Sequence, residues 1–81
     1  MAKAISYTTS ATRELRALPA AVRERLIKKL RRYAETGAGD VKTLAGQSGA
    51  RLRVGDYRVI FVETADAISV RAVGHRRDIY E

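Results

Sequence analysis

The sequence predicts an α+β domain in which an N-terminal strand and an αα-hairpin pack on a three- to four-stranded antiparallel sheet. Two patterns support this fold class. Apolar residues recur at helical spacing through residues 20–35, and residues 51–61, RLRVGDYRVIF, alternate as a β-hairpin does. Because 81 residues leave room for only one hydrophobic core, we expect a single domain over residues 1–81.

The composition is strongly basic, with 16 Lys and Arg against 9 Asp and Glu and a net charge of +7. Such a charge predicts a polyanionic partner, either nucleic acid or an acidic protein, although a merely solvated basic surface would look the same. No cysteine and one histidine are present, so we expect no disulfide, no metal site and no cofactor. Without a long apolar run or a signal sequence, the expected location is cytoplasmic, away from membranes.

The N-terminal part of the chain predicts a short strand followed by two helices. Residues 4–8 alternate weakly, as a strand does. Thr8, Thr9 and Ser10 then supply N-cap side chains for a first helix. Pro19 interrupts that helix and suits the first turn of a second one, because its missing N–H would be unpaired there. The two helices should therefore form a hairpin.

The second helix is predicted over residues 20 to about 35. Its apolar stripe, spaced to face a core, consists of Val22, Leu26, Leu30, Tyr33 and Ala34. The remaining positions carry a solvated basic face that could also contact nucleic acid or an acidic partner, namely Arg23, Arg25, Lys28, Lys29, Arg31 and Arg32. Gly37 and Gly39 are expected to end the helix. Residues 37–50 are interpreted as a glycine-rich connector.

Residues 51–61 predict a β-hairpin whose two faces differ in chemistry. Gly55-Asp56 fits a two-residue type II′ turn, which pairs Arg53 with Arg58. Because side chains alternate along a strand, one face becomes apolar and is expected to meet the helices: Leu52, Val54, Tyr57, Val59 and Phe61. The other side, which we call the arginine face, carries Arg51, Arg53 and Arg58.

A third strand is predicted over residues 67–74, after a turn at Ala65-Asp66. Uninterrupted pairing would set Phe61 opposite Val70 and Val59 opposite Ala72. That register adds three residues to the arginine face, namely Arg71, Val73 and His75.

The arginine face is costly for a sheet by itself, because like charges directly opposite one another, as at Arg53 and Arg58, are destabilising. An anion bound between them would remove that cost. A solvated face whose long side chains splay apart is the alternative interpretation.

The motifs RLRVGDYRVIF and VGHRRDIY, with LPAAVRERLIKKL in the helical hairpin upstream, resemble the RelE/ParE superfamily of toxins from type II toxin–antitoxin modules. The resemblance covers essentially the whole chain. It implies a fold similar to that of small microbial ribonucleases. In the RelE branch it implies metal-independent cleavage of mRNA in the ribosomal A site once the antitoxin is degraded. In the ParE branch it implies inhibition of DNA gyrase without nuclease activity.

The resemblance carries the family's basic site onto numbered positions of this chain. Arg51, with Arg53 beside it, Arg58, Arg76 and Tyr80 match the pattern, whereas Gly49 stands where some RelE toxins have a lysine. Guanidinium groups bind phosphate oxygens bidentately, so we expect Arg58 and Arg76 to stabilise the transition state.

Proton transfer and RNA binding complete the expected site. Tyr80 is expected to stack on a base or to serve as acid or base, and His75 is the one side chain whose ordinary pKa lies near neutrality. RNA binding is expected from Arg51, Arg53 and Arg71. A structural histidine and a tyrosine that closes the core remain the alternatives for His75 and Tyr80.

Three functions stay open. The favoured one is a ribosome-dependent mRNA endoribonuclease that inhibits translation, and the second is a ParE-like gyrase inhibitor. The third is a degenerate toxin kept as an antitoxin-binding corepressor. The expected partners are a cognate antitoxin, the ribosome and mRNA, with operator DNA contacted only through the antitoxin complex.

Overall fold

The computed structural model describes residues 2–44 and 49–79, which form two helices and one five-stranded sheet. The strand order is β1-β5-β4-β3-β2. The elements are β1 (Ala4–Tyr7), α1 (Thr9–Arg16), α2 (Ala20–Thr36), β2 (Asp40–Thr43), β3 (Gly49–Val54), β4 (Tyr57–Glu63) and β5 (Ala67–His75). Within the described ranges, no helix has the length and apolar character needed to cross a membrane.

The predicted fold class is confirmed: two helices pack on a sheet in an α+β arrangement. Strands β2 to β5 are antiparallel to their neighbours, whereas β1 pairs with β5 in parallel. The helices cover the β1–β5 and β3 regions of one sheet face only, and together with the strands they bury one apolar cluster centred on Phe61. The opposite face of the sheet is therefore not covered by the helices.

The helix boundaries follow the capping signals of the sequence. The side chain of Thr8 accepts a hydrogen bond of 3.1 Å from the N–H of Ala11 and so caps α1. Pro19 is the N-cap residue of α2, one position before the predicted first turn. Gly37 ends α2 in the left-handed conformation at φ 76°, which glycine adopts without strain.

The register of the central hairpin is as predicted. Arg53 pairs with Arg58 and Leu52 with Val59 across β3 and β4, around the turn at Gly55-Asp56. Gly55 has φ 60°. The second central residue, Asp56, does not have a positive φ, because every described residue with a positive φ is a glycine. This combination fits the type II′ turn, which needs a positive φ at its first central residue alone.

The prediction that residues 37–50 form only a connector is wrong for Asp40–Thr43. These residues form β2, which pairs with β3 and sets Val41 opposite the buried Leu52. The strand is short, and its alternation covers too few residues to stand out in the sequence. The strand forms because its backbone pairs with the edge of β3. Residues 45–48 of the predicted connector lie outside the described residues.

The predicted register of β5 is correct only up to Val70. Phe61 pairs with Val70, but Ile60 pairs with Ala72, so Arg71 is an extra residue that lies opposite nothing in β4. This β-bulge reverses the faces of all later residues relative to the prediction. Val59 is consequently opposite Val73, which is buried at 4% exposure rather than lying on the arginine face.

Helix α1 stabilises the part of β5 that extends beyond β1. The Glu14 carboxylate accepts a hydrogen bond of 2.9 Å from the N–H of Val73, just after the bulge. The hydroxyl of Thr8 donates to the carbonyl of Arg71 at 3.4 Å. These contacts replace the strand pairing that ends at Tyr7, and they hold the end of β5 in its bulged register.

A polar cluster joins the N-terminal segment, α2 and the end of β4. Glu63 accepts hydrogen bonds from Lys3 Nζ at 2.5 Å and from the Tyr33 hydroxyl at 2.7 Å. These bonds, that of Lys3 foremost, lower the pKa of Glu63. Burial, followed by the hydrogen bond to Glu63, raises the pKa of Tyr33 to about 12.

We expect this cluster to give stability a specific pH dependence. Glu63 has a lowered pKa in the folded state, so its contribution is present above pH 4.5 and is lost as the pH falls through the folded-state pKa. Tyr33 has a raised pKa, so its contribution is present below pH 10 and is lost as the pH rises from 10 through about 12.

Urea denaturation of the wild type and of Tyr33→Phe tests the alkaline limb. At pH 7 the substitution should lower the free energy of unfolding by about 1 kcal/mol, the usual net value of such a hydrogen bond. The difference in the free energy of unfolding between wild type and Tyr33→Phe should shrink towards pH 11. A difference that stays constant between these pH values would contradict the assignment.

Candidate functional site

The arginine face lies on the side of the sheet that the helices leave uncovered. Leu52 and Val54 are buried in the core, and the residues that alternate with them, Arg51 and Arg53, point to the other side. Arg58 faces Arg53 directly across β3 and β4. The sequence-predicted grouping of Arg51, Arg53 and Arg58 is therefore present in the structure.

Arg58 is unusual because it is buried, with 8% of its surface exposed. Its Nη1 atom donates to the carbonyl oxygens of Tyr57 at 3.3 Å and of Gly55 at 3.4 Å. Among the described residues it is the one charged side chain in the buried class. A guanidinium in surroundings of low dielectric constant attracts an anion more strongly than an exposed one does.

The residues after β5 bring Arg76 to the same end of the sheet. The N–H of Arg76 donates to the carbonyl of Asp56 at 2.8 Å, and its Nε lies 3.9 Å from the Asp56 carboxylate. The Arg76 side chain is 58% exposed, so this ion pair holds it weakly. Arg76 therefore lies beside the β3–β4 turn with a guanidinium that can exchange its partner for a phosphate.

The chain then folds over the arginine face near Arg58. Gly74 pairs with Arg58, and a Cβ atom at Gly74 would lie 3.2 and 3.3 Å from side-chain carbons of Ile79. Ile79 therefore packs directly on Gly74, helped by the turn in which the N–H of Asp78 donates to the carbonyl of His75. Ile79 therefore lies on the side of the sheet that carries Arg58.

The prediction that His75 lies on the arginine face is wrong. Because of the bulge, His75 pairs with Tyr57 on the core side of the sheet, where the two rings meet edge to face at 5.3 Å. The His75 Nδ1 atom accepts a hydrogen bond of 3.2 Å from the N–H of Arg77. The burial of both Val70 and Val73, which are three residues apart, reflects the bulge, because core residues of an uninterrupted strand are an even number of residues apart.

Of the two remaining predicted site residues, one lies apart from the cluster and the other is not described by the structure. Arg71 is the bulged residue and is exposed, outside the β4–β5 ladder. Tyr80 lies outside the described residues, so its predicted role stays a prediction. No group of three or more His, Asp and Glu side chains suited to a metal ion occurs within residues 2–44 and 49–79.

Sequence reasoning also missed a basic residue, Lys42. It lies in β2 opposite Arg51, on the arginine face, because the neighbouring Val41 packs against the core. Asp40 lies on the same face opposite Arg53. Because residues 37–50 were predicted to be a connector, the sequence did not place either residue on the arginine face.

The second helix approaches the hairpin turn from the other side of the sheet. The Arg25 Nη1 atom lies 3.7 Å from the position of a Cβ at Gly55. Together with Val22 and residues 54–57, Arg25 lines a cleft of about 190 Å³. Positive charge therefore borders the turn on both faces of the sheet.

These features, a helical hairpin on a sheet whose open face gathers arginines, coincide with a match to a known family. The sequence model of the ParE toxin of the type II toxin–antitoxin system, parDE, matches residues 5–80. The chain therefore belongs to this family of toxins, within the RelE/ParE superfamily. We find no curated protein whose sequence matches the chain.

Several solved structures share the fold. The chain is similar to RelE in the RelB-RelE antitoxin-toxin complex from Methanococcus jannaschii, with 25% identity, coverage of 91% of this chain and 93% of that chain, and a TM-score of 0.75. A mutant of the E. coli toxin RelE in the free state gives 25% identity, coverage of 96% and 87%, and a TM-score of 0.81. The E. coli DinJ-YafQ toxin-antitoxin complex, at 12% identity, full coverage of both chains and a TM-score of 0.75, shows the same fold alone.

Proposed function

We propose that this toxin is a ribosome-dependent mRNA endoribonuclease that works without a metal ion. The observation that carries the proposal is that two arginines bond to the same β3–β4 turn: the buried Arg58 donates to the carbonyl of Gly55, and the exposed Arg76 bonds to Asp56. The similarity to two RelE structures at 25% identity also supports the endoribonuclease proposal.

The chemistry requires three tasks, of which the arginines suit one best. The 2′-OH must be activated, the charge of the phosphorane stabilised and the 5′-oxygen protonated. Arg58 and Arg76 would bind the phosphorane oxygens, because guanidinium groups form bidentate bonds with them and stay charged. Arg51 and Arg53 would bind the RNA backbone beside them.

Proton transfer falls to a group other than histidine in this proposal. His75 is the chain's one histidine and lies on the Tyr57 side of the sheet, away from Arg58. Tyr80 follows Ile79, which packs on Gly74, the residue opposite Arg58, and Tyr80 remains our choice for acid, base or stacking. Arginines close to a tyrosine favour its ionised form, which would suit the role of a base.

A gyrase inhibitor of the ParE type is the second candidate. The family match itself favours it, because the matching sequence model is that of a ParE toxin. Binding of gyrase would need no phosphorane site, so Arg58 and Arg76 would then be structural or would contact the partner.

One paired experiment separates these functions. Translation in a purified system, with primer extension on the mRNA, should reveal cleavage that requires the ribosome. A gyrase supercoiling assay with the same preparation should remain uninhibited. The reverse result would assign the chain to gyrase inhibition, and inactivity in both assays would favour an antitoxin-binding corepressor.

We also propose that a cognate antitoxin blocks the toxin through an apolar segment with acidic flanks. A cleft of about 380 Å³ between β1 and the helices fits such a segment, because apolar and basic side chains line it together: Lys3, Ile5, Tyr7, Leu15, Ile27 and Arg31. The RelE chain from Methanococcus jannaschii, to which this chain is similar, is found in an antitoxin-toxin complex with RelB.

Association with the antitoxin should be fast at low salt and slow down as salt rises, because opposite charges steer the encounter. Stopped-flow measurement of the association rate over a salt series checks this expectation. Ile27→Asp should raise the dissociation rate and cost at least about 1–2 kcal/mol of binding. The matched variant Ala21→Asp, on the exposed side of α2, should cost less, and a salt-independent rate would contradict the proposal.

A further inference from the structure

Lys42 adds a fourth positive charge to the uncovered face of the sheet. Its side chain is exposed, and it is directly opposite Arg51 across β2 and β3. Within the described part of the chain, no hydrogen bond or ion pair of Lys42 is found, unlike Lys3, which binds Glu63. The Lys42 ammonium is therefore available to a ligand.

The four cations form two rows across the strands. Lys42 and Arg51 form one row, and Arg53 and Arg58 form the other. Side chains that are directly opposite have Cβ atoms about 5 Å apart. The rows are two residues apart along β3, which corresponds to about 6.8 Å. This separation is of the order of the distance between consecutive phosphates of an RNA strand.

The two rows differ in composition. Asp40 lies opposite Arg53 and offsets part of the positive charge of that row. In the other row, Arg51 lies between Lys42 and the apolar Ile60, so Lys42 and Arg51 are two cations directly opposite each other. Like charges directly opposite one another destabilise a sheet, and a bound anion would relieve that repulsion.

We propose that Lys42 and Arg51 form a second phosphate site, which holds the RNA phosphate next to the one that is cleaved. The inference rests on the proposed endoribonuclease function and divides the site into two parts. Arg58 and Arg76 act on the scissile phosphate, while Lys42 and Arg51 position the strand. Lys42 also adds a cation beside the end of β3 where Gly49 provides none. Lysine suits this task, because it binds phosphate as a point charge without a bidentate geometry.

The test measures binding of a single-stranded 2′-O-methyl RNA oligonucleotide, which cannot be cleaved, by fluorescence anisotropy over a salt series. For Lys42→Ala, the slope of log affinity against log salt should fall by about 0.7, the value for one lost phosphate contact on a single strand. Lys42→Arg should restore the slope. Lys29→Ala, on α2 at the other side of the sheet, is the matched control and should keep the wild-type slope.

Cleavage kinetics distinguish positioning from chemistry. Lys42→Ala should raise KM for mRNA cleavage while kcat stays close to the wild-type value, because a contact shared by ground and transition states is lost. Equal midpoints of thermal unfolding for wild type and Lys42→Ala would show that folding is unchanged.

Each outcome decides the inference. An unchanged salt slope for Lys42→Ala overturns it, as does an equal loss in Lys29→Ala or a wild-type protein that does not bind the oligonucleotide. A changed slope in a protein that never cleaves mRNA would sustain the phosphate site and refute the endoribonuclease function.

Discussion

Replacing Arg58 with alanine should reduce mRNA cleavage by a factor on the order of 10²–10³ while ribosome binding is largely kept. The guanidinium is held at the β3–β4 turn by two carbonyl groups, so in the proposed reaction its charge would be in place for the phosphorane before substrate binds. Ribosome binding should persist, because the chain keeps 15 of its 16 Lys and Arg residues for sequence-independent contact with RNA. Single-turnover cleavage and a ribosome pelleting assay measure the two quantities.

Variants at Arg76 test whether a loss of cleavage reflects the missing guanidinium or a destabilised fold. Arg58 is buried, so its loss could destabilise the sheet, whereas the exposed Arg76 side chain can be removed with little effect on folding. Arg76→Ala should lose cleavage to a similar extent, and Arg77→Ala is the matched control next to it. Arg58→Lys should rescue poorly, because a point charge cannot replace the bidentate fork. Retained cleavage in the Arg58→Ala, Arg76→Ala double mutant would contradict the mechanism.

The second large effect is expected in the core. Phe61 is fully buried at the centre of β4, with its ring 5.6 Å from that of Tyr33. Phe61→Ala should lower the free energy of unfolding by about 3–5 kcal/mol, through lost burial and the cavity left behind. Natural domains have only about 5–15 kcal/mol in total, so this variant should be close to unfolding.

Chemical denaturation followed by circular dichroism measures this effect. Val62→Ala is the matched control, because it is the next residue, faces the other side of the sheet and is only half-buried. It should cost less than about 1.5 kcal/mol, the range for removing small parts of an aliphatic side chain. Equal losses in the two variants would mean that Phe61 is not the centre of the core.

The sequence by itself determined the helical hairpin and the β3–β4 register. The apolar stripe from Val22 to Ala34 and the cap signals at Thr8 and Gly37 are local patterns, and each gave its element to within one or two residues. The turn at Gly55-Asp56 was equally local, because a positive φ at the first position requires glycine and sets the pairing of Arg53 with Arg58. The arginine face followed from that turn.

Tertiary structure decided the rest of the site. The bulge at Arg71 is held by Thr8 and Glu14 of a distant element, so no local pattern could place His75 on the core side. Strand β2 forms because the edge of β3 offers unpaired backbone groups, and this pairing alone brings Lys42 to Arg51. Ile79 packs over Gly74, the residue of β5 that is opposite Arg58, because the chain turns back after the strand. Contacts between residues far apart in the sequence leave no periodic pattern in it. They can therefore be identified only in the folded chain.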